Sequence, residues 1–282
     1  MIRLVGILVG LGFTFVVLLT FGVGAYTAAT DPATETAENV FHLHPKEDVH
    51  YSFEGPVGHW DIAQLQRGYK VYSEVCSACH SLKQVAFRDL AALGYSEAQI
   101  KAEAASKRVP GVDPNTGEAA SRPALPTDYM PSPYPNAVAA SAANGGKIPP
   151  DLSLMTKARH EGTHYVYSLL TGFQEPPAAL AEEFPDFTIP NGGHYNPYFA
   201  SLVIGMAPPL TTEGQVTYDD GTVPTVDQMS QDVSAFLTWT AEPKLVKRKQ
   251  TGWPVLGFLL FATILAWFAK KSVWANAKRR ED

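Results

Sequence analysis

Residues 71–82 read Val-Tyr-Ser-Glu-Val-Cys-Ser-Ala-Cys-His-Ser-Leu, and the segment at their centre, Cys76-Ser77-Ala78-Cys79-His80, decides how the rest of the chain is read. Two thiols spaced C-x-x-C lie one helical turn apart. That separation lets them add to the two vinyl groups on one edge of a porphyrin, and the histidine that follows can bring its imidazole under the iron. In a chain of 282 residues with 2 cysteines and 8 histidines, chance would give this pattern about once in 5,000. It is therefore read as covalent attachment of one c-type haem through Cys76 and Cys79, with His80 as an iron ligand. A thioredoxin-like redox pair is expected after a strand in a βαβ unit, whereas this pair ends a helical stretch. A zinc site would want a second pair of ligands. With both cysteines used at one site no disulfide framework remains, so the fold must rest on packing or on a cofactor.

Upstream, Asp61 to Val75 has the period of an amphipathic helix, with Asp61 as N-cap and Ile62, Leu65, Tyr69, Tyr72 and Val75 on one face. Further on, Thr225 to Ala241 forms a second helical pattern. Thr225 and Gln228 match a capping box, Val226, Met229, Val233, Phe236 and Leu237 make the stripe, and Pro243 stops it. Between the two, Arg108 to Pro150 holds nine prolines among many Ala, Ser and Gly, which predicts ordered loop. Strand signals are weak, so the body reads as helix and loop packed around something large.

Gly252 to Ala269 contains no charge, carries Trp253 and Trp267 near its ends and is followed by Lys270 and Lys271, the pattern of a transmembrane helix. Basic residues flank it on both sides, Lys244, Lys247, Arg248 and Lys249 before it and Lys278, Arg279 and Arg280 after, so the positive-inside rule favours a cytoplasmic C-terminus only slightly. At the other end, Met1-Ile2-Arg3 leads into the apolar run Leu4 to Val23 and then Gly24, Ala25, Thr27, Ala28 and Ala29. This is an export signal over residues 1–29, cleaved or retained as a second anchor. Residues 30–60 are then expected as a linker, 61–243 as the haem domain and 244–282 as anchor and cytoplasmic tail, with the helix at about 252–269. An Arg-rich transit peptide is lacking, which points to a bacterial protein with its haem domain on the periplasmic side of the cytoplasmic membrane.

The net charge of −6 conceals an asymmetry. Asp31 to Pro243 carries 12 Lys+Arg against 26 Asp+Glu, a net −14, and Lys244 to Asp282 carries 9 against 2, a net +7. An acidic body disfavours nucleic acid and suits a basic protein partner. Glu182, Glu183, Asp186, Asp219 and Asp220 are candidates for such a docking face.

The sixth iron position separates an electron carrier from a catalyst, because His/Met ligation closes the iron and raises its potential whereas an open position admits oxygen or peroxide. Met229 falls on an apolar helical stripe and reads as core. Met206 lies in Ile204-Gly205-Met206-Ala207-Pro208-Pro209, where Gly and two prolines hold an extended loop suited to presenting a ligand. Met130 and Met155 remain alternatives, and His160, His164 and His194 read as ordinary surface or core histidines.

With these elements in view the chain resembles cytochrome c1, the haem subunit of the quinol:cytochrome c oxidoreductase (bc1) complex. The resemblance runs from about Asp61 to the C-terminus and rests on VYSEVCSACHSL (71–82), IPPDLSLMTKARH (148–160), HYVYSLLTGFQEPP (164–177), YNPYFASLVIGMAPPL (195–210), DDGT (219–222) and DVSAFLTWTAEP (232–243). It implies a mainly α, cytochrome c-like haem domain with long ordered loops and a C-terminal transmembrane helix. It makes Met206 the distal ligand and places Asn144, Pro149, Pro150, Arg159, Tyr165, Leu169, Leu170, Phe199, Ile204 and Pro209 around the haem, with Arg159 near a propionate, a carboxylate that a guanidinium pairs with well. The implied role is to take one electron from a Rieske iron–sulfur protein and pass it to a soluble or tethered cytochrome c, beside cytochrome b in a dimeric complex, with no catalytic residue of its own. The N-terminal sixty residues carry no family motif, and 108–143 reads as an insertion. The rival readings are a haem peroxidase or reductase with an open iron, and a subunit whose haem is dispensable.

Overall fold

The computed structural model describes residues 2–31 and 35–278; Met1 of the export signal and Arg279 and Arg280 of the basic tail lie outside the described residues. The chain forms two compact units, Met1–His42 with Pro177–Phe187, and Leu43–Pro176 with Thr188–Asp282.

In the first unit, α1 (Ile2–Thr30) is apolar along its length and buries no residue. At about 1.5 Å per residue it is long enough to cross a bilayer. The short α2 (Ala37–Phe41) starts at Thr36, whose hydroxyl accepts the Asn39 N–H. In the same unit, Phe41 meets Phe184 edge to face at 6.2 Å.

The second unit holds α3 (Ile62–Glu74), α4 (Glu97–Ser106), α5 (Ala137–Ala143) and α6 (Gly162–Thr171). Past α7 (Ala178–Glu183), which belongs to the first unit, come α8 (Val226–Ala241) and α9 (Leu245–Lys278). Two 3₁₀ segments cover Cys76–Ala78 and Phe87–Leu93. The strands are few: β1 (Arg108–Val112) pairs antiparallel with β2 (Ala119–Pro123), and β3 (His194–Tyr195) with β4 (Val203–Ile204). The mainly α expectation holds.

The core is the crossing of α3 and α8. Asp61 caps α3 by accepting the Gln64 N–H at 3.1 Å, and Leu65, Tyr69 and Tyr72 are buried as the period requires. Ile62, on the first turn, stays 39% exposed. From α8, Met229, Val233, Phe236 and Leu237 are buried, each worth roughly 1.5–3 kcal/mol relative to exposure. Gly68 makes the crossing this close: a Cβ there would lie 2.0 Å from the Asp232 carbonyl oxygen and 2.6 Å from Phe236 Cβ. Beside it, Arg67 donates to both carboxylate oxygens of fully buried Asp232, at 2.9 and 3.1 Å, and to Asp220 at 2.7 Å. Thr225 caps α8 by accepting the Gln228 N–H at 3.0 Å, but the capping box is not completed. The Gln228 amide turns instead to Asp232 at 2.9 Å, where a buried carboxylate needs every donor within reach.

Three expectations need correction. Residues 35–60 are not linker throughout: α2 occupies 37–41, and Tyr51 and Phe53 enter the core of the second unit at 5% and 4% exposure. Residues 108–143 are not all loop, since 108–123 form a hairpin. Its turn is made by Asp113, whose side chain accepts the Asn115 N–H at 2.7 Å. The anchor helix is longer than 252–269, beginning at Leu245, with Leu245 buried and Val246 packed against the core.

Candidate haem-attachment site

α3 delivers the chain to the cysteines and ends at Val75, after which Cys76–Ala78 tightens into a 3₁₀ turn. The Cys79 and His80 N–H groups both donate to the Cys76 carbonyl, at 3.1 and 2.8 Å, so the two half-buried thiols and the imidazole leave one turn of backbone together. Burial, reinforced by neighbouring Cys79, pushes the Cys76 thiol up to about 12. A thiol held neutral is opposite to the activated thiolate of a redox pair. Nor does any group of three His, Cys, Asp or Glu with metal-binding geometry occur among the described residues.

The His80 ring is held by a carbonyl. Its Nδ1 lies 2.8 Å from the Pro150 oxygen, which can only accept, so Nδ1 carries the proton and Nε2 keeps its lone pair for a metal. Burial lowers the His80 pKa, against the opposing effects of the Pro150 bond and of Asp151, so the imidazole is neutral, as a ligand must be. The backbone at 80–84 is stitched to 150–153 by further bonds. Leu152 N–H donates to Ser81 O (2.9 Å), and Asp151 accepts from Ser81 Oγ (2.8 Å) and Lys83 N–H (2.9 Å). Gln84 N–H donates to Ser153 Oγ at 3.1 Å. Burial acts to raise the Asp151 pKa, but hydrogen bonds from Ser153, Lys83 and Ser81 outweigh it and hold the carboxyl below its usual value.

The four described methionines differ in placement. Met229 and Met130 are core residues at 0% and 6% exposure, and Met155 packs against the core. Met206 is half-buried in the loop after β4. Preceding it, Gly205 lies so near Lys147 that a Cβ would stand 2.9 Å from the Lys147 Cγ. The Met206 loop therefore runs beside the residues that lead into Pro149 and Pro150.

Asn196, which sequence reasoning did not single out, ties that loop to α6. It is fully buried, its amide donates to the Leu169 carbonyl at 2.8 Å, and its backbone N–H donates to the Leu202 carbonyl at 2.8 Å. The Asn-Pro pair of 196–197 was the available signal. Through this residue Leu169, Leu170, Phe199 and Ile204 belong to one assembly; Ile204 is buried and the other three half-buried. Tyr165, a turn earlier on α6, packs against the core. Pro209 accepts from the Gln215 amide at 2.8 Å. Asn144 ends α5 with its amide on the Ala140 carbonyl at 2.7 Å. Arg159 is exposed, bonds only to the Ala158 carbonyl at 3.0 Å and forms no ion pair among the described residues.

A cleft of about 670 Å³ opens beside the turn. Cys79 and Pro149 line it, together with Tyr134, Asn136, Ala140 and Ile148. Ser81, Lys83 and Ala137 add to it, and the rest of the wall comes from the 108–135 segment, so the supposed insertion lines the cleft. The size is within the usual range for a cofactor. Tyr134 Oη approaches the Cys79 sulfur at 3.9 Å. Paired thiols, a neutral imidazole with Nε2 free and an adjacent cleft of mixed polarity together fit a covalently held haem. Of the proposed docking acids, Asp219 and Asp220 are already paired, with Lys70 Nζ at 2.8 Å and Arg67 at 2.7 Å, whereas Glu182, Glu183 and Asp186 are exposed without ion pairs among the described residues.

Comparison with known proteins agrees with this chemistry. The profile of the Cytochrome C1 family matches residues 51–277. The chain is 44% identical over 255 residues to cytochrome c1 of Rhodospirillum rubrum, covering 87% of this chain and 92% of that one. It is 45% identical over 249 residues to the cytochrome b/c1 protein of Bradyrhizobium diazoefficiens, where the match spans 80% of this chain but 35% of the longer relative. To mitochondrial cytochrome c1 of Saccharomyces cerevisiae it is 43% identical over 232 residues, 82% and 72% of the two chains. The chain belongs to the cytochrome c1 family of membrane-anchored, haem-carrying electron-transfer subunits.

Proposed function

We propose that this chain binds one haem through Cys76 and Cys79, ligated by His80 and Met206, and relays single electrons from a Rieske iron–sulfur protein to a cytochrome c, beside cytochrome b. The observation that carries the reading is the Pro150 carbonyl on His80 Nδ1, which fixes the ring, its tautomer and its basicity toward a metal. The haem supplies a one-electron iron couple and no bond chemistry at substrate. Every other task belongs to the chain. Cys76 and Cys79 fix the macrocycle edge, and Met206 offers a neutral sulfur that favours the reduced iron and so a high potential. Arg159, without an ion pair among the described residues, is available to a propionate. Asn144, Pro149, Tyr165, Leu169, Leu170, Phe199, Ile204 and Pro209 supply the surrounding wall. The haem domain lies on the periplasmic side, with the −14 body facing a cationic partner.

Met206→Leu tests the reading, since it keeps volume and removes the donor. The oxidised protein should lose its far-red sulfur-to-iron band, the potential should fall markedly, and carbon monoxide should bind, while Met155→Leu leaves all three nearly unchanged. Carbon monoxide binding by the unaltered protein would move the reading to an open-iron enzyme.

A further inference from the structure

The start of α9 is not a free tether. Leu245 is buried, Val246 packs on the core, and the next residues along that face reach back to the loop at 53–56. Lys249 Nζ donates to the Phe53 carbonyl at 3.0 Å and to the Gly55 carbonyl at 2.8 Å, and Trp253 Nε1 donates to the Pro56 carbonyl at 3.2 Å. The spacing 245, 249, 253 is one helical face. The loop is itself rigid. His59 N–H closes it on the Ser52 carbonyl at 2.9 Å, and Phe53 is buried against Tyr51 and Trp60. Glu54 bonds the Tyr51 N–H at 3.1 Å and His164 Nε2, on α6, at 2.7 Å. α6 carries Tyr165, Leu169 and Leu170, so an unbroken path of bonds runs from the anchor helix to the haem-side wall.

Immediately beyond Trp253 stands Pro254, inside the helix. It has no N–H to give the Gln250 carbonyl, so this is where α9 can bend at least cost, with Gly252 and Gly257 on either side. The clasp ends where the helix is weakest.

We propose that Lys249 and Trp253 are positioning residues that latch the anchor helix to the haem domain and thereby fix the orientation of the haem crevice relative to the membrane. The role lies beyond the proposed electron relay and rests on that reading only for its haem readout. Electron exchange with moving or soluble partners needs a reproducible approach to the crevice. A domain tilting about Gly252–Pro254 would spread that approach over many geometries.

The test uses the complex in its native membranes with Lys249→Met, which keeps the alkyl stem, and Trp253→Phe, which keeps an interfacial ring. Two readouts apply to each variant. The first is the angular spread of the haem electron paramagnetic resonance signal in oriented membranes. The second is the rate at which trypsin, cutting after Lys247 or Arg248, releases the domain. With the latch open, release should accelerate about tenfold or more in Lys249→Met, the factor that loss of one hydrogen bond to a charged group brings. The angular spread should widen while the haem potential stays that of the unaltered protein. Unchanged spread and unchanged release in both variants would overturn the proposal. So would a shifted potential, which would mean that these residues act through the haem pocket instead. If no haem signal is present in any of the proteins, the functional reading fails while trypsin release still decides the latch.

Discussion

Gly68→Ala puts the central packing claim at risk in the most direct way. The added Cβ would stand 2.0 Å from the Asp232 carbonyl oxygen and 2.6 Å from Phe236 Cβ, both fixed parts of α8. Ordinary contact needs about 3.5 Å, so the two helices must part by roughly 1.5 Å. That separation strains the bidentate Arg67–Asp232 pair and pulls Phe236 from Tyr69 and Tyr72, whose ring centroids lie 5.6 and 5.8 Å from it. Because backbone rather than a flexible side chain blocks the way, the cost belongs at the upper end for overpacking, about 3 kcal/mol. The intrinsic helix preference for Ala over Gly returns about 1 kcal/mol. The net loss is about 2 kcal/mol, or a melting temperature lower by about 4–8 °C for a domain of this size. Thermal unfolding followed by far-UV circular dichroism reads it. A melting temperature that rises would refute the reasoning, since that is what the substitution does in a helix with open space at the position.

Acid should weaken the α3 clamp through Asp220, whose pKa is held down to about 2 by the Thr222 N–H and by Arg67. A depressed carboxylate stabilises fully above its unfolded value of about 3.9 and loses the contribution as pH falls toward about 2, so Asp220→Asn should lower the melting temperature at neutral pH and by progressively less below about pH 4. A head domain expressed from Asp31 behind a cleavable export signal should be soluble and red, and more stable when stopped after Gln250 than after Pro243. The difference should be at least the burial of Leu245, roughly 1.5–3 kcal/mol, and equal stabilities in denaturant would contradict the docked start of α9. Association with a cationic cytochrome c should slow steeply as ionic strength passes about 0.1 M, where screening extends about 10 Å; a rate indifferent to salt would imply an apolar or tethered partner.

What the sequence made legible was local. Asp61 and Thr225 were readable as caps, and Leu65, Tyr69, Tyr72, Met229, Val233 and Phe236 as buried faces, because each signal lies within a few residues of its own helix. The C-x-x-C-H turn was readable for the same reason. The Pro150–His80 bond, the Asn196–Leu169 bond and the Lys249–Phe53 bond join residues 70, 27 and 196 positions apart, and no periodicity encodes such pairings. The packing of Tyr51 and Phe53 escaped notice because a short irregular loop has no repeating face to display. The 108–123 hairpin escaped because Pro110, Gly111 and Pro123 depress every strand signal. Nor did charge alone reveal the ion pairs of Asp219 and Asp220: formal charge says nothing about Lys70 and Arg67 lying opposite them.

These long-range bonds are unevenly shared between the two sides of the site, which has a physical consequence. On the His80 side, the segments 80–84 and 150–153 are joined by several hydrogen bonds among polypeptide groups alone, including two donated to the partly buried Asp151 carboxylate, which also accepts the Ser153 N–H of its own segment. The Met206 side depends on Asn196 at the base of the β3–β4 hairpin, on the fit of Gly205 against the Lys147 stem and on the Gln215 amide at the Pro209 carbonyl, with Met206 itself in a half-buried loop. Segments held by fewer buried bonds open at lower free energy than those held by many. The imidazole is thus preorganised by the fold, while the Met206 thioether is presented by the less firmly tied of the two segments. Denaturant should therefore abolish the far-red sulfur-to-iron band at a lower concentration than it releases His80, since the two proposed ligands sit on parts of one fold with different local stability.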